Sequence, residues 1–286
     1  MVHLTRRRAV ATLVAAAAAG AAVPLQTASA QERGRGPRPL RRAHAHNDYE
    51  HEHPLFDALS HGFTSVEADI YLVDGQLLVS HDRIDLDPTR TLESLYLDPL
   101  LALVKANHGA VYRDYHRPVQ LLVDIKEDGD AAYRELDRRL RPYRRMLSTY
   151  ANGRVIPGAI TPVISGDRAA RVPMEAQTVR HAFYDGRLED LATSVPASFI
   201  PLISSNWTSS FSWLGIGEFP SAEREKLHSL VSTAYAHGQR VRFWATPDLA
   251  GADRDAVWTE LLAAGVDHLN TDDLAGLERF LRRHDS

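Results

Sequence analysis

A chain of 286 residues, 44% hydrophobic and 24% charged, can bury a full core, and about 250 residues is an ordinary size for one barrel of strands and helices. Cysteine is absent, which excludes disulfides, thiolate metal sites and a cysteine nucleophile, so any metal must sit on oxygen or imidazole. The formal charge is −4, and −7 without the three arginines of the first thirty residues; this argues against a nucleic-acid partner held by broad phosphate attraction.

Residues 1–30 differ from the rest. Arg6, Arg7 and Arg8 precede an alanine-rich apolar run from Ala9 to Val23, and Ala28-Ser29-Ala30 makes a small-residue cleavage site. The pattern is that of an export signal, and the arginine pair resembles a twin-arginine signal, so a secreted protein beginning near Gln31 is expected. An ordinary secretory signal or a retained anchor is the alternative. Residues 31–41, rich in Gly, Pro and Arg without apolar period, are expected to form a flexible linker into a single domain over 42–286. No later run approaches the roughly twenty apolar residues of a membrane span.

Within the domain strand-like and helix-like stretches alternate. Strands are expected at 42–47, 64–72, 76–81, 119–125, 159–164, 181–185, 198–203, 241–244 and 268–270. Helices are expected at 54–61, 92–106, 131–147, 222–237, 252–264 and 274–283. This rhythm predicts an α/β fold of the (β/α)₈ TIM-barrel kind, with 76–81 as an excursion beyond the second strand. A doubly wound open sheet usually brings a glycine-rich turn after its first strand, and HAHNDY has none.

The stretch from His44 to Asp82 concentrates the chemistry. In VEADIYL the two-residue period sends Glu67 and Asp69 to one face and Val66, Ala68 and Ile70 to the other. Two ionised carboxylates withdrawn from water cost several kcal/mol each unless compensated, and a bound cation compensates both, so Glu67 and Asp69 read as metal ligands. In VQLLVDIKE the same alternation places Leu122, Asp124 and Lys126 on one face. Asp124 would complete an oxygen site for Mg²⁺ or Ca²⁺, and Lys126 would neutralise a bound anion; a structural Asp–Lys ion pair is the plainer alternative. In such a barrel the chemistry sits at the C-terminal ends of the strands, where His46, Asn47, Glu67, Asp69, Asp124 and Trp244 fall.

HNDY, VEADIYL, LLVSHD and LLVDIK, in this order and spacing, resemble the PI-PLC-like phosphodiesterase superfamily, which includes phospholipases C, glycerophosphodiester phosphodiesterases and sphingomyelinase D-like enzymes. HAHNDY, PLFDALSHGFTSVEAD, RTLESLYLDPLL, RFWATPD and LNTDDL resemble most its altered-inheritance-of-mitochondria-6-like branch. The resemblance implies a phosphoric diester hydrolase acting on a glycerophosphodiester, phospholipid or related diester. It also implies His46 and His81 as the acid-base pair, and Asn47, Glu67, Asp69 and Asp124 as ligands of one divalent cation. Two positions depart from the glycerophosphodiesterase pattern: Asn47-Asp48 stands where Arg-Gly is usual, and Asp124 where Glu is usual. The first removes a phosphate-binding Arg, and Lys126 is expected to take part of that role.

Two readings compete. His44-x-His46 is similar to the HxH metal motif of amidohydrolase-type barrels, with His181 and Asp272 as further ligands, and a catalytically silent binding module is the other. Trp207, Phe211 and Trp213, set among small polar residues from Ser205 to Pro220, are expected either to meet a lipid or head group, giving transient membrane-surface contact, or to pack over the barrel rim.

Overall fold

The computed structural model describes residues 36–284. The export signal expected over 1–30, and the linker as far as residue 35, lie outside the described residues. In chain order the strands are β1 (Leu40–Ala45), β2 (Phe63–Val73), β3 (Gln76–Val79), β4 (Val119–Ile125), β5 (Thr149–Ala151), β6 (Arg154–Ile156), β7 (Ile160–Gly166), β8 (Val179–Arg180), β9 (Phe183–Gly186), β10 (Leu202–Asn206), β11 (Arg240–Trp244) and β12 (His268–Thr271). Neighbours run β1-β12-β11-β10-β9-β7-β4-β2, all parallel, and the pairing of β1 with β2 closes the ring of eight. This is the (β/α)₈ barrel expected from the alternation of elements. β3 folds back antiparallel on β2, which is the excursion read at 76–81.

The barrel strands are buried on both faces because helices cover the outside. Outward residues such as Val66, Ala68, Leu121 and Val123 meet Leu136, Leu227, Trp258, Leu277 and Phe280 in the main core. These come from the helices Gly129–Leu140, Ser221–Ala236, Ala252–Ala264 and Leu274–His284. A smaller apolar cluster of Leu122, Val163, Phe183 and Leu202, on β4, β7, β9 and β10, is separate from it. The strands β1, β2, β11 and β12 carry His44, Ser65, Glu67, Arg240, Arg242, His268 and Asn270, nearly all fully buried and hydrogen-bonded to one another. No helix among the described residues is long and apolar enough to cross a membrane.

Three local departures have physical causes. The helix expected over 92–106 is split: Glu93–Leu97 winds as a π turn before the α-helix Asp98–Ala106, because Pro99 has no N–H to give the preceding turn and its ring crowds it. The helix expected over 131–147 stops at Leu140, one turn of 3₁₀ helix carrying Pro142 beyond it. The strand expected at 198–203 lies at Leu202–Asn206, since it begins only after Pro201.

Candidate active site

The C-terminal ends of β2, β4 and β7 lie in register, with Asp69 opposite Asp124 and Asp124 opposite Ser165. One carboxylate oxygen from each of Glu67, Asp69 and Asp124 lies within 4.8 Å of the others. β7 comes this close because Gly166 ends it at a φ of +78°; a Cβ there would strike the Ile125 carbonyl and sit 2.8 Å from Asp124 Oδ1. Glu67 and Asp124 front a cavity of about 370 Å³ that is also lined by His46, Asn47, His81, Lys126, Arg187 and Trp244. Every site residue read from the sequence except Asp69 lines this cavity, and Asp69 adjoins it through Lys126, whose Nζ lies 2.5 Å from its Oδ2.

Charge around the carboxylates is uneven. Burial raises the pKa of Glu67, but Arg242 Nη1 at 2.6 Å and His44 Nε2 at 3.0 Å outweigh it and hold the acid ionised, far below its ordinary range. Asp69 goes the other way: burial and the charge of Glu67 push it up to about 6, although Lys126 Nζ lies 2.5 Å from its Oδ2. Asp124 is raised by burial too, with Lys126 3.3 Å away opposing the shift. Asp69 Oδ2 also accepts from Tyr49 Oη at 2.6 Å, whereas its buried Oδ1 has no partner among the described residues. A buried, unpartnered carboxylate oxygen beside two further carboxylates fits a hard divalent cation. Glu67, Asp69 and Asp124 would hold it. Asn47, in the left-handed region at φ 45°, accepts from the same Tyr49 hydroxyl at 3.0 Å and lines the same cavity.

The two histidines have different surroundings. His46 Nδ1 donates to Asp272 Oδ1 at 2.8 Å, which leaves Nε2 as its free nitrogen. Burial works against its imidazolium, but the Asp272 hydrogen bond and the charge of Glu67 outweigh that and raise its pKa. His81 follows β3 and is half exposed, with Nδ1 3.3 Å from Asp82. His44 is fully buried, with Nδ1 2.7 Å from Ser65 Oγ and Nε2 on Glu67, so both ring nitrogens are taken. Of the ligands the HxH reading would need, His181 precedes β9, at the opposite end of the barrel, and bonds Thr149 Oγ1 at 2.9 Å. Asp272 is engaged with His46. The structure does not gather that ligand set.

Four residues at the site went unread in the sequence. Arg242 neutralises Glu67 from within the barrel. Arg187, at the end of β9, holds Asp185 through Nη1 at 2.9 Å and lines the cavity. Tyr49 bridges Asn47 and Asp69, and Asp272 orients His46, the sequence having offered it only to the HxH ligand set. The alternation in RVRFW puts Arg240, Arg242 and Trp244 on one face, which was the available signal for Arg242. The reading of Trp207, Phe211 and Trp213 as a lipid-contact surface is corrected. All three are buried, Trp207 stacking on Phe211 at 4.2 Å and Trp213 on Phe219 at 4.5 Å, because Trp207 and Trp213 donate their indole N–H groups to main-chain carbonyls within the loop. They pack over the barrel rim, which was the other expectation.

The molecule is thus a (β/α)₈ barrel protein that gathers three carboxylates, two imidazoles and a lysine at the C-terminal ends of its strands. The chain belongs to the AIM6-like phosphodiesterase domain family, which matches residues 37–185. The glycerophosphoryl diester phosphodiesterase family matches residues 240–275, which carry Arg242, Trp244 and Asp272. Among curated proteins the chain is 30% identical over 240 residues to altered inheritance of mitochondria protein 6 homolog of Arthroderma benhamiae, covering 76% of this chain and 74% of that one. It is 29% identical to altered inheritance of mitochondria protein 6 of Eremothecium gossypii, over 79% of this chain and 66% of that one. The protein of the same name from Kluyveromyces lactis is 28% identical, over 79% and 69%.

Proposed function

We propose that the protein is an exported, metal-dependent phosphoric diester hydrolase acting on a glycerophosphodiester, phospholipid or related diester. The observation that carries this reading is the convergence of Glu67, Asp69 and Asp124 within 4.8 Å at a cavity that His46, His81 and Lys126 also line. A cation bound there would supply positive charge for the phosphoryl oxygens and lower the pKa of an oxygen nucleophile. His46, its Nδ1–H held by Asp272, presents Nε2 as the base that takes a proton from the attacking hydroxyl or water. His81 gives a proton to the leaving oxygen. Lys126 and Arg187 place fixed positive charge at the cavity, where a phosphodiester carries its negative charge. Arg187 fills the role of the arginine missing beside His46. Export rests on residues 1–30, and N-terminal sequencing of secreted protein beginning near Gln31 tests it. If the substrate lies in a bilayer, Leu214 and Ile216, 45% and 80% exposed, are the loop side chains that would meet it.

The decisive test compares His44→Ala, His46→Ala and His81→Ala for metal content and single-turnover rate. The proposal expects His46→Ala and His81→Ala each to lose about 10² to 10⁴ in kcat with metal retained, and the double variant to lose far less than the product of the two. An active His81→Ala enzyme overturns it.

A further inference from the structure

The opposite mouth of the barrel holds a second cavity, of about 480 Å³, among residues at or beside the beginnings of β1, β2, β4, β7, β11 and β12. Its lining includes Arg41, Arg42, Arg117 and Arg240 against one acid, Asp267. None of the four guanidinium groups has a carboxylate oxygen within 4.0 Å among the described residues, whereas Arg139, Arg187, Arg242 and Arg254 elsewhere are all paired. Asp267 is itself occupied, its Oδ2 accepting from the Val241 amide at 2.9 Å. A net positive mouth on a chain of formal charge −4 focuses field on that cavity.

The floor of the cavity presents donors. Arg240 gives Nη2 to Gln120 Oε1 at 2.7 Å and Nη1 to His268 Nε2 at 2.9 Å. A guanidinium cannot accept, so His268 must accept at Nε2 and carry its proton on Nδ1. His268 is 3% exposed and lines the cavity, and its Nδ1 has no partner among the described residues. Thr64, Thr161 and Tyr115 complete the wall; the Thr64 hydroxyl donates to the Leu40 carbonyl at 3.1 Å and that of Thr161 meets Ser148 Oγ at 2.8 Å, so the arginines are its donors, with little competing negative charge.

We propose that this mouth binds a phosphate-class oxyanion, inorganic phosphate or the dianionic head of a phosphate monoester, at a site separate from the acidic cavity. A tetrahedral dianion matches the charge: Arg41 and Arg117 meet it at the exposed rim, and Arg240, hydrogen-bonded to His268, meets it at the floor. The cavity is large enough for a phosphorylated small molecule.

The test titrates the purified mature protein with inorganic phosphate in EDTA at constant ionic strength, by calorimetry and by the ¹⁵N signal of the His268 ring. Both rim arginines are exposed, so Arg41→Gln with Arg117→Gln leaves the fold intact, as circular dichroism will check. Expected are saturable binding, a shifted His268 signal, affinity weaker by more than about tenfold in the double variant, and unchanged affinity in Lys126→Ala. No saturable binding in the parent protein, equal affinity in the double variant, or binding lost with Lys126→Ala would each overturn the site.

Discussion

Asp272 accepts a hydrogen bond from His46, and that bond stabilises the imidazolium against the burial that opposes it. Asp272→Asn therefore lowers the pKa of His46. The acid limb of the pH–rate profile should move to lower pH, with a reduced plateau because the ring is less firmly oriented; an unmoved limb would separate His46 from the base. Glu67 and Asp124 differ as probes of the cation. Glu67→Gln strands the buried Arg242 guanidinium and should cost about 3 to 5 kcal/mol of stability in denaturant unfolding. Asp124 is less deeply buried and faces Lys126, so Asp124→Asn should release the cation, read by elemental analysis, with little change in stability. Asp48, within HNDY, is not at the site: its Oδ2 accepts from the Leu55 amide at 2.6 Å and Tyr96 Oη at 2.9 Å. Burial lifts it to about 7 from 3.8, so the folded protein binds more protons than the unfolded chain between those values. Its contribution to stability is greatest below about pH 4 and is lost as pH rises through 7, on the order of a few kcal/mol. Relative to Asp48→Asn, the parent protein should lose stability over that window, and parallel curves would contradict the assignment.

Most barrel strands were legible because a period of two, or a continuous apolar run, survives in them, and VQLLVDI was bounded correctly at both ends, whereas LISSN, with two apolar residues before three polar ones, was expected to begin at residue 198 and begins at Leu202. The small sheet of β6, β5 and β8 was not legible. Its Arg154–Ile156 strand is exposed throughout and carries no buried face to imprint a pattern. The available signal was its turn, Asn152-Gly153, with φ 53° and 77°, the two positive values that a tight hairpin between right-twisted strands requires. The aromatic loop after β10 misled for a related reason: composition marks a cluster of rings but not which way they face. Trp207→Ala should cost about 3 to 5 kcal/mol in unfolding free energy, as for a large core truncation, and leave vesicle binding unchanged. A vesicle-binding defect without loss of stability would restore the lipid-contact reading.

Across the whole molecule, a hydrogen-bonded path runs through the barrel. Arg240 donates to Gln120, Gln120 Nε2 donates to Ser65 Oγ at 2.9 Å, Ser65 Oγ meets His44 Nδ1 at 2.7 Å, and His44 Nε2 lies 3.0 Å from Glu67 Oε2 and 2.7 Å from Arg242 Nη1. The path leads from the arginine-lined mouth to the carboxylate of Glu67, which suits a role in fixing the orientation of Glu67. The sequence could show that Glu67 and Asp69 share a face, but not which distant cations answer them. Arg242 lies 175 residues from Glu67 and meets it only because β1 and β12 close the ring between β2 and β11. The central claim is that a cation held by Glu67, Asp69 and Asp124 serves phosphodiester hydrolysis by His46 and His81. Its most direct test is ³¹P NMR of the mature protein with a panel of glycerophosphodiesters, phospholipids and simple diesters, in EDTA and then in Mg²⁺ or Ca²⁺. The account predicts hydrolysis of at least one diester that stops in EDTA and returns with the added cation. Hydrolysis at full rate in EDTA would contradict it.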